Sequence, residues 1–295
     1  MHYLITGGSG FIGSALSRSL VADGQRVTVL TRDIARARPR LPGGVALVER
    51  LDAAGDVDAV VNLAGENLAA GRWTPARKRE FVDSRIGMTR RVVDWMASLK
   101  QRPLVLVSGS AIGRYGPRGD EQLAEDAKSG DDFSAHLCRD WERAAREAEE
   151  LGVRVCLLRT GIVLDNDGGA LKQMLLPFRL CLGGPMGDGR QWMSWVTRRD
   201  LVALIRWLMD HTDASGAYNG TAPAPVTNAE FARTLGRALH RPALLPTPAF
   251  ALKLLFGEMS GLLLTGQRVL PARAAAAGFA FKDTALQPAL AAILA

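Results

Sequence analysis

Two hydrophobic rhythms alternate along the chain. A short apolar run, Tyr3-Leu4-Ile5, leads into glycines at positions 7, 10 and 13, and the helical spacing Phe11, Ile12, Ala15, Leu16, Leu20 follows at once. That order predicts a buried strand, a tight turn and a helix. After Gly24 a second strand spans Val27–Leu30, at the distance a βαβ unit requires. Asp33 reads as the N-cap of a short helix that Pro39 and Pro42 stop. Further strands are predicted at Val45–Val48, at Asp58–Leu63, at Leu104–Val107 (running into Ser108-Gly109-Ser110) and at Val153–Leu158. Helical spacing covers about Pro75–Leu99 and Phe133–Glu150. Strands and helices in this alternation predict an α/β fold of the Rossmann type, a doubly wound parallel sheet.

Beyond Gly161 the rhythm weakens. The stretch Asp165–Trp195 is irregular and glycine-rich; a helix at Arg199–His211, a short strand at Ala217–Asn219 and a helix at Asn228–Leu239 precede a leucine-rich tail. The division this implies is a dinucleotide-binding domain of residues 1–163 with about 197–215. A small C-terminal α+β substrate lobe would take about 164–196 and 216–295. Such a lobe would cover the carboxyl ends of the strands, where ligands sit in open α/β sheets.

The glycine spacing carries the first chemistry. Gly7, Gly10 and Gly13 let the backbone bend sharply and approach a bulky anion, and the amides of Phe11 and Ile12 open the helix toward it. A pyrophosphate at a helix start is the expected ligand. The net charge of +7 comes mostly from scattered arginines, without the basic stripe or module of a nucleic-acid binder. No run of about 18 uncharged apolar residues predicts a membrane span. An apolar run opening at residue 2 predicts no signal or transit peptide. Cys138, Cys156 and Cys181 lack metal or redox spacing, so no metal is expected, and reduced thiols point to the cytoplasm.

Which dinucleotide is expected follows from the end of the second strand. An NAD-selecting enzyme places an acid there to bond the ribose 2′-hydroxyl. Here Thr31 and Arg32 stand in that place, a hydroxyl and a guanidinium suited to a 2′-phosphate, while Asp33 comes late and serves as a cap. Arg36 could add to that charge, with Arg38 and Arg40 in solvent. The expected cofactor is NADP(H).

With Gly7-Gly8-x-Gly10-Phe11-Ile12-Gly13, Asn62-Leu63-Ala64-Gly65 and the Ser110…Tyr115-Gly116 loop, the chain resembles the extended short-chain dehydrogenases/reductases, the nucleotide-sugar epimerases and dehydratases. More narrowly it resembles their atypical bacterial epimerase-family subgroup, with a C-terminal domain of unknown function. Gly65-Glu66-Asn67, Arg72-Trp73-Thr74, Cys138-Arg139-x-Trp141-Glu142, Leu158-Arg159-Thr160-Gly161 and Gly266-Gln267-Arg268-Val269-Leu270-Pro271 carry that match. The resemblance implies that Asn62, Ala64 and Gly65 line the cofactor's ribose and phosphates. It also places Arg85 where the family carries a helix asparagine.

One departure matters. The family uses a tyrosine with a lysine four residues later as its acid–base pair. The three tyrosines here, Tyr3, Tyr115 and Tyr218, are followed at that distance by Gly7, Gly119 and Ala222. On the helix that should carry the pair, Ser134 and Cys138 stand at the two positions. Ser108, Ser110 and Tyr115 are the candidate polarising groups, against a bland reading as strand-end and packing residues. His136 lies about 200° round the helix from Ser134. Trp73, Trp192 and Trp195 line a substrate cleft or pack in the core; Arg159 and Arg268 clamp an anionic substrate or form structural ion pairs. Two functions remain open: an NADP(H)-dependent oxidoreductase or epimerase-like enzyme on a small sugar or carbonyl compound, or a non-catalytic NADP(H)-binding redox sensor. Either would act as a monomer or homodimer, with no nucleic-acid or membrane partner.

Overall fold

The computed structural model describes all residues, 1–295. In chain order its first half runs β1 (His2–Thr6), α1 (Phe11–Ala22), β2 (Arg26–Leu30), α2 (Ile34–Ala37), β3 (Ala46–Val48), β4 (Ala59–Asn62), α3 (Pro75–Val82), α4 (Met88–Ser98), β5 (Val105–Ala111), β6 (Gln122–Leu123) and α5 (Phe133–Arg146). The second half runs β7 (Arg154–Thr160), β8 (Ile162–Asp165), α6 (Gly169–Arg179), β9 (Trp192–Met193), β10 (Trp195–Thr197), α7 (Arg198–Asp210), β11 (Gly216–Gly220), β12 (Val226–Thr227), α8 (Asn228–Ala238), α9 (Ala249–Phe256), α10 (Gly261–Leu264), β13 (Arg268–Val269), α11 (Ala272–Ala276) and α12 (Leu286–Leu294).

Seven strands form one parallel sheet in the order β11-β7-β5-β4-β1-β2-β3. The chain reverses its direction of travel across the sheet between β1 and β4, which fixes the crevice for a ligand at their carboxyl ends. Helices cover both faces. Ile5, Leu16, Val29, Val107, Leu201 and Ile205 belong to one core; Leu4, Val60, Met96, Leu106 and Val155 belong to the other. Both faces being buried explains the continuous apolar runs of these strands.

The strand Gly216–Gly220, which sequence patterning assigned to the second lobe, pairs in parallel with β7 and is the sheet's edge. Its five residues carry too little hydrophobic alternation to reveal that partner. What stands apart is a third core, in which Phe178, Trp195, Phe231, Leu235, Leu286 and Leu290 pack together. Around it run the short pairs β8–β10 and β9–β12, and β13 pairs back onto β6.

The helix expected over 75–99 is interrupted. Asp83–Gly87 forms a single π turn between α3 and α4. Buried Phe81 and Ile86 are five residues apart, a spacing that regular α geometry puts on different faces. The wider turn brings them into one small cluster with Leu137 and Trp141. Strand β5 also runs four residues past Val107, pairing with β7 as far as Ala111 opposite Thr160.

Candidate cofactor crevice and its buried polar network

The glycine turn after β1 is shaped by close backbone approach. Gly7 has φ +66°, and a side chain there would lie 2.7 Å from the Leu63 carbonyl oxygen. A Cβ on Gly13 would stand 2.4 Å from the Gly7 oxygen and 2.6 Å from Gly8 Cα. The Gly7 carbonyl accepts from Gly10 N at 3.0 Å. Thr74, Asp132, Thr197 and Thr227 each cap a helix with a side-chain oxygen, but α1 begins at Gly10 with no side-chain cap and no acid in its first turn. The amides of Phe11, Ile12 and Gly13 have no backbone acceptor. Three unpaired donors at the positive end of a helix fit a pyrophosphate. The Phe11 ring itself packs under Gly168 and Gly169 with the Arg198 guanidinium 4.8 Å from its centre, so its side chain secures the β8–α6 turn. Ile12 packs on the sheet core.

At the end of β2, Thr31 Oγ1 donates to the Asp33 carbonyl at 3.1 Å. Asp33 caps α2, its Oδ1 accepting from Arg36 N at 2.9 Å. Arg32 is 92% exposed, with only Glu66 nearby at 4.0 Å. A hydroxyl and a nearly free guanidinium therefore stand at this strand end, and its one carboxylate is engaged as a cap. Arg38 reaches back to the Val45 carbonyl at 2.9 Å rather than into solvent alone.

At the end of β4 the side chain of Asn62 has a structural role. Asn62 is wholly buried. Its Oδ1 accepts from Thr6 Oγ1 at 2.5 Å, and its Nδ2 donates to Thr89 Oγ1 at 2.8 Å, which also accepts from Trp141 Nε1 at 2.9 Å. Its side chain thus joins β1, β4, α4 and α5. Half-buried Ala64 and exposed Gly65 follow it at the crevice. The Arg85 guanidinium, carried on the π turn, lies 3.1 Å from where a Gly65 Cβ would sit, and its Nη2 donates to the Glu66 carbonyl at 2.8 Å.

The three candidate polarising hydroxyls are buried inside the sheet and its network. Ser108 sits in the middle of β5, and Ser110 Oγ donates to Glu142 Oε1 at 2.8 Å. Strand β4 stops opposite Ser108 and β5 continues along β7 to Ala111, so both serines lie toward the carboxyl end of β5 with their side chains buried. Tyr115 is wholly buried; its hydroxyl donates to Asn219 Oδ1 at 2.7 Å and accepts from Arg159 Nη1 at 2.9 Å. Burial raises its pKa against the opposing effect of Arg159. Arg159 also grips Glu142, with Nε to Oε1 at 2.8 Å and Nη2 to Oε2 at 3.0 Å. Burial disfavours its charge, but the Glu142 bonds outweigh this and hold it further above its ordinary range. Arg114 Nε lies 3.1 Å from the same carboxylate. Arg159 is therefore a structural ion pair, not a substrate clamp.

From sequence, Glu142 entered only as part of a family motif and Asn219 only as a strand residue, neither with a site role. An acid on the face of α5 that carries Cys138, Trp141 and Ala145, and an arginine inside the apolar run of β7, were the available signals. Ser134 is half-buried, with its Cβ 3.3 Å from where a Gly113 Cβ would be. His136 points away, pairing with Asp131 at 2.7 Å. Cys138 is buried among Ser110, Glu142 and Arg85, and burial pushes its thiol up to about 11. Of the tryptophans, Trp195 is lobe core, and Trp73 stacks edge-on against Phe81 and Phe133. Trp192 is half-buried beneath the Arg268 guanidinium, 4.4 Å from its ring. No group of three or more His, Cys, Asp or Glu side chains gathers as a metal site, and no helix is long and apolar enough to cross a membrane.

Residues 3–219 match the NAD dependent epimerase/dehydratase family, and residues 247–293 match a domain of unknown function, DUF1731. The chain is 43% identical over 303 aligned positions to the chloroplastic epimerase family protein SDR39U1 homolog of Arabidopsis thaliana, covering all of this chain and 87% of that protein. It is 37% identical to epimerase family protein YfhF of Bacillus subtilis, covering 100% and 98%. The crystal structure of human epimerase family protein SDR39U1 with NADPH superposes with a TM-score of 0.90 at 37% identity, covering 99% of each chain. A UDP-glucuronic acid 4-epimerase from Bacillus cereus, at 14% identity and a TM-score of 0.77 over 100% and 96% of the chains, shares the fold.

Proposed function

This chain belongs to the NAD dependent epimerase/dehydratase family, and on that premise we propose that it is an NADP(H)-dependent oxidoreductase or epimerase-like enzyme acting on a small sugar or carbonyl compound. The observation that carries the cofactor choice is the end of β2, where Thr31 and a 92% exposed Arg32 stand, Asp33 is spent capping α2, and Glu66 reaches Arg32 only at 4.0 Å. A 2′-phosphate brings two or so charges to a site holding an exposed guanidinium and a hydroxyl. The relative bound to NADPH supports the same choice. The amides of Phe11, Ile12 and Gly13 hold the pyrophosphate, and Gly7, Gly10, Ala64 and Gly65 allow the backbone to lie close to it. When bound, the nicotinamide supplies hydride exchange.

Of the three hydroxyls, Ser110 is the one that donates to a carboxylate, Glu142, which Arg159 and Arg114 keep oriented. Ser108 and Tyr115 would assist from behind it. A second reading, a non-catalytic NADP(H) sensor, is favoured by one observation: Ser108, Ser110 and Tyr115 are all below 5% exposed. Its free cysteines suit a reducing, cytoplasmic setting. An absorbance screen at the nicotinamide band with aldehydes, ketones and nucleotide sugars separates the two. Sustained turnover lost in Ser110→Ala supports the enzyme; NADPH binding with no turnover of any class supports the sensor.

A further inference from the structure

Arg85 has properties no other arginine at the crevice combines. Arg159 and Arg114 share Glu142, and Arg77 has Glu66 and Glu80, but no carboxylate lies within 4 Å of the Arg85 guanidinium. Of its five N–H groups, one donates to the Glu66 carbonyl at 2.8 Å and one to the Phe81 carbonyl at 3.4 Å. Its Nε makes no hydrogen bond and is not sealed from solvent, which leaves that donor open. Burial lowers its pKa, as expected for a cation short of a counter-charge. The π turn aims it, and Gly65 leaves the space it fills.

Its place along the crevice is set by the sheet. Thr31 and Arg32 stand on the β2 side of the β1–β4 reversal, so a 2′-phosphorylated adenosine half lies over β1 and β2. The other half must cross to β4 and β5. Arg85 is on that far side, over Gly65 after β4, with its guanidinium 5.4 Å from the Trp141 ring of α5, one turn of helix from Cys138. Cys138 is the position where related enzymes place the lysine of their acid–base pair.

We propose that Arg85 binds the nicotinamide-ribose half of the dinucleotide, delivering from α3–α4 the positive charge that α5 lacks at Cys138. This rests on the cofactor assignment above. Through its open Nε–H the guanidinium gives a charge-assisted hydrogen bond to a ribose hydroxyl or the adjoining phosphate.

The test compares two ligands on wild type, Arg85→Met and Arg85→Lys: NADPH, and adenosine 2′,5′-bisphosphate, which lacks the nicotinamide half. Wild type that binds neither overturns the cofactor assignment itself. Where wild type binds both, Arg85→Met should weaken NADPH roughly tenfold or more while leaving the bisphosphate within about twofold, with Arg85→Lys between. Equal loss of both ligands would mean that Arg85 only props the Glu66 backbone, and an unchanged NADPH affinity would mean that it touches no ligand; either overturns the proposal. Should Arg85→Met not fold, Arg85→Lys alone decides, and an unaltered ratio of the two affinities sinks the idea.

Discussion

Glu142 and Arg159 meet in a two-pronged ion pair behind the crevice, at 2.8 and 3.0 Å, with neither residue more than 5% exposed. The pair sits between α5 and β7, and through Tyr115 and Asn219 it reaches the Leu270 carbonyl of the C-terminal segment. Removing Arg159 leaves the Glu142 carboxylate buried with Arg114 as its one remaining cation. Arg159→Met should therefore cost about 3–5 kcal/mol of stability, read by urea unfolding. A loss under about 1 kcal/mol would show that solvent reaches the site after all.

Gly13→Ala places a methyl against backbone atoms, the Gly7 oxygen and Gly8 Cα, that no side-chain rotation can clear. The glycine turn must shift to admit it, at about 1–3 kcal/mol, and the three free amides at the start of α1 shift with it. NADPH affinity should fall by roughly tenfold or more, measured by calorimetry. Unchanged affinity would show that the anion is not held by this turn.

The thiols differ by burial. Cys138 and Cys156 are buried, each with its pKa pushed up to about 11, whereas Cys181 is exposed. A disulfide-exchange reagent at mildly alkaline pH should label one thiol in the native protein and all three after denaturation, since the thiolate is the reactive form. Rapid native labelling of Cys138 would contradict the packing of α5 against β5.

His2 is buried against Thr28, its Nε2 2.8 Å from Oγ1 and its Nδ1 2.7 Å from the Asp56 carbonyl. Burial lowers its pKa below 6.5. The folded state thus prefers the neutral ring: the stability this contributes is complete above the unfolded pKa of about 6.5 and is lost as pH falls through the lower folded value. Wild type should lose thermal stability between pH 7.5 and 5 more steeply than His2→Gln. Parallel slopes for the two proteins would remove His2 from the account.

The sheet was legible because each strand buried on both faces is a continuous apolar run, and glycines such as Gly7 and Gly24 mark the turns between elements. The start of α1 was legible because three glycines at fixed spacing constrain the backbone directly. The polar network was not. Ser108 and Ser110 read as strand-end hydroxyls because glycine and serine end a hydrophobic run, yet pairing with β7 carries β5 onward. Tyr115 read as an acid because it follows that strand, while its partner Asn219 lies 104 residues away on the edge strand. Asn62 was expected to bring its backbone to the ribose side; that Thr6 and Thr89, from two other elements, claim its side chain was not visible. Such choices depend on contacts between distant segments, and no local spacing encodes them.

The most direct test of the account titrates NADPH and NADH separately into wild type and Arg32→Asp, following nicotinamide fluorescence. Wild type should bind NADPH saturably and at least about tenfold tighter than NADH, given one charge-assisted contact to the 2′-phosphate, and Arg32→Asp should abolish or reverse that order. Wild type that holds neither coenzyme, or holds NADH as tightly as NADPH, would contradict it.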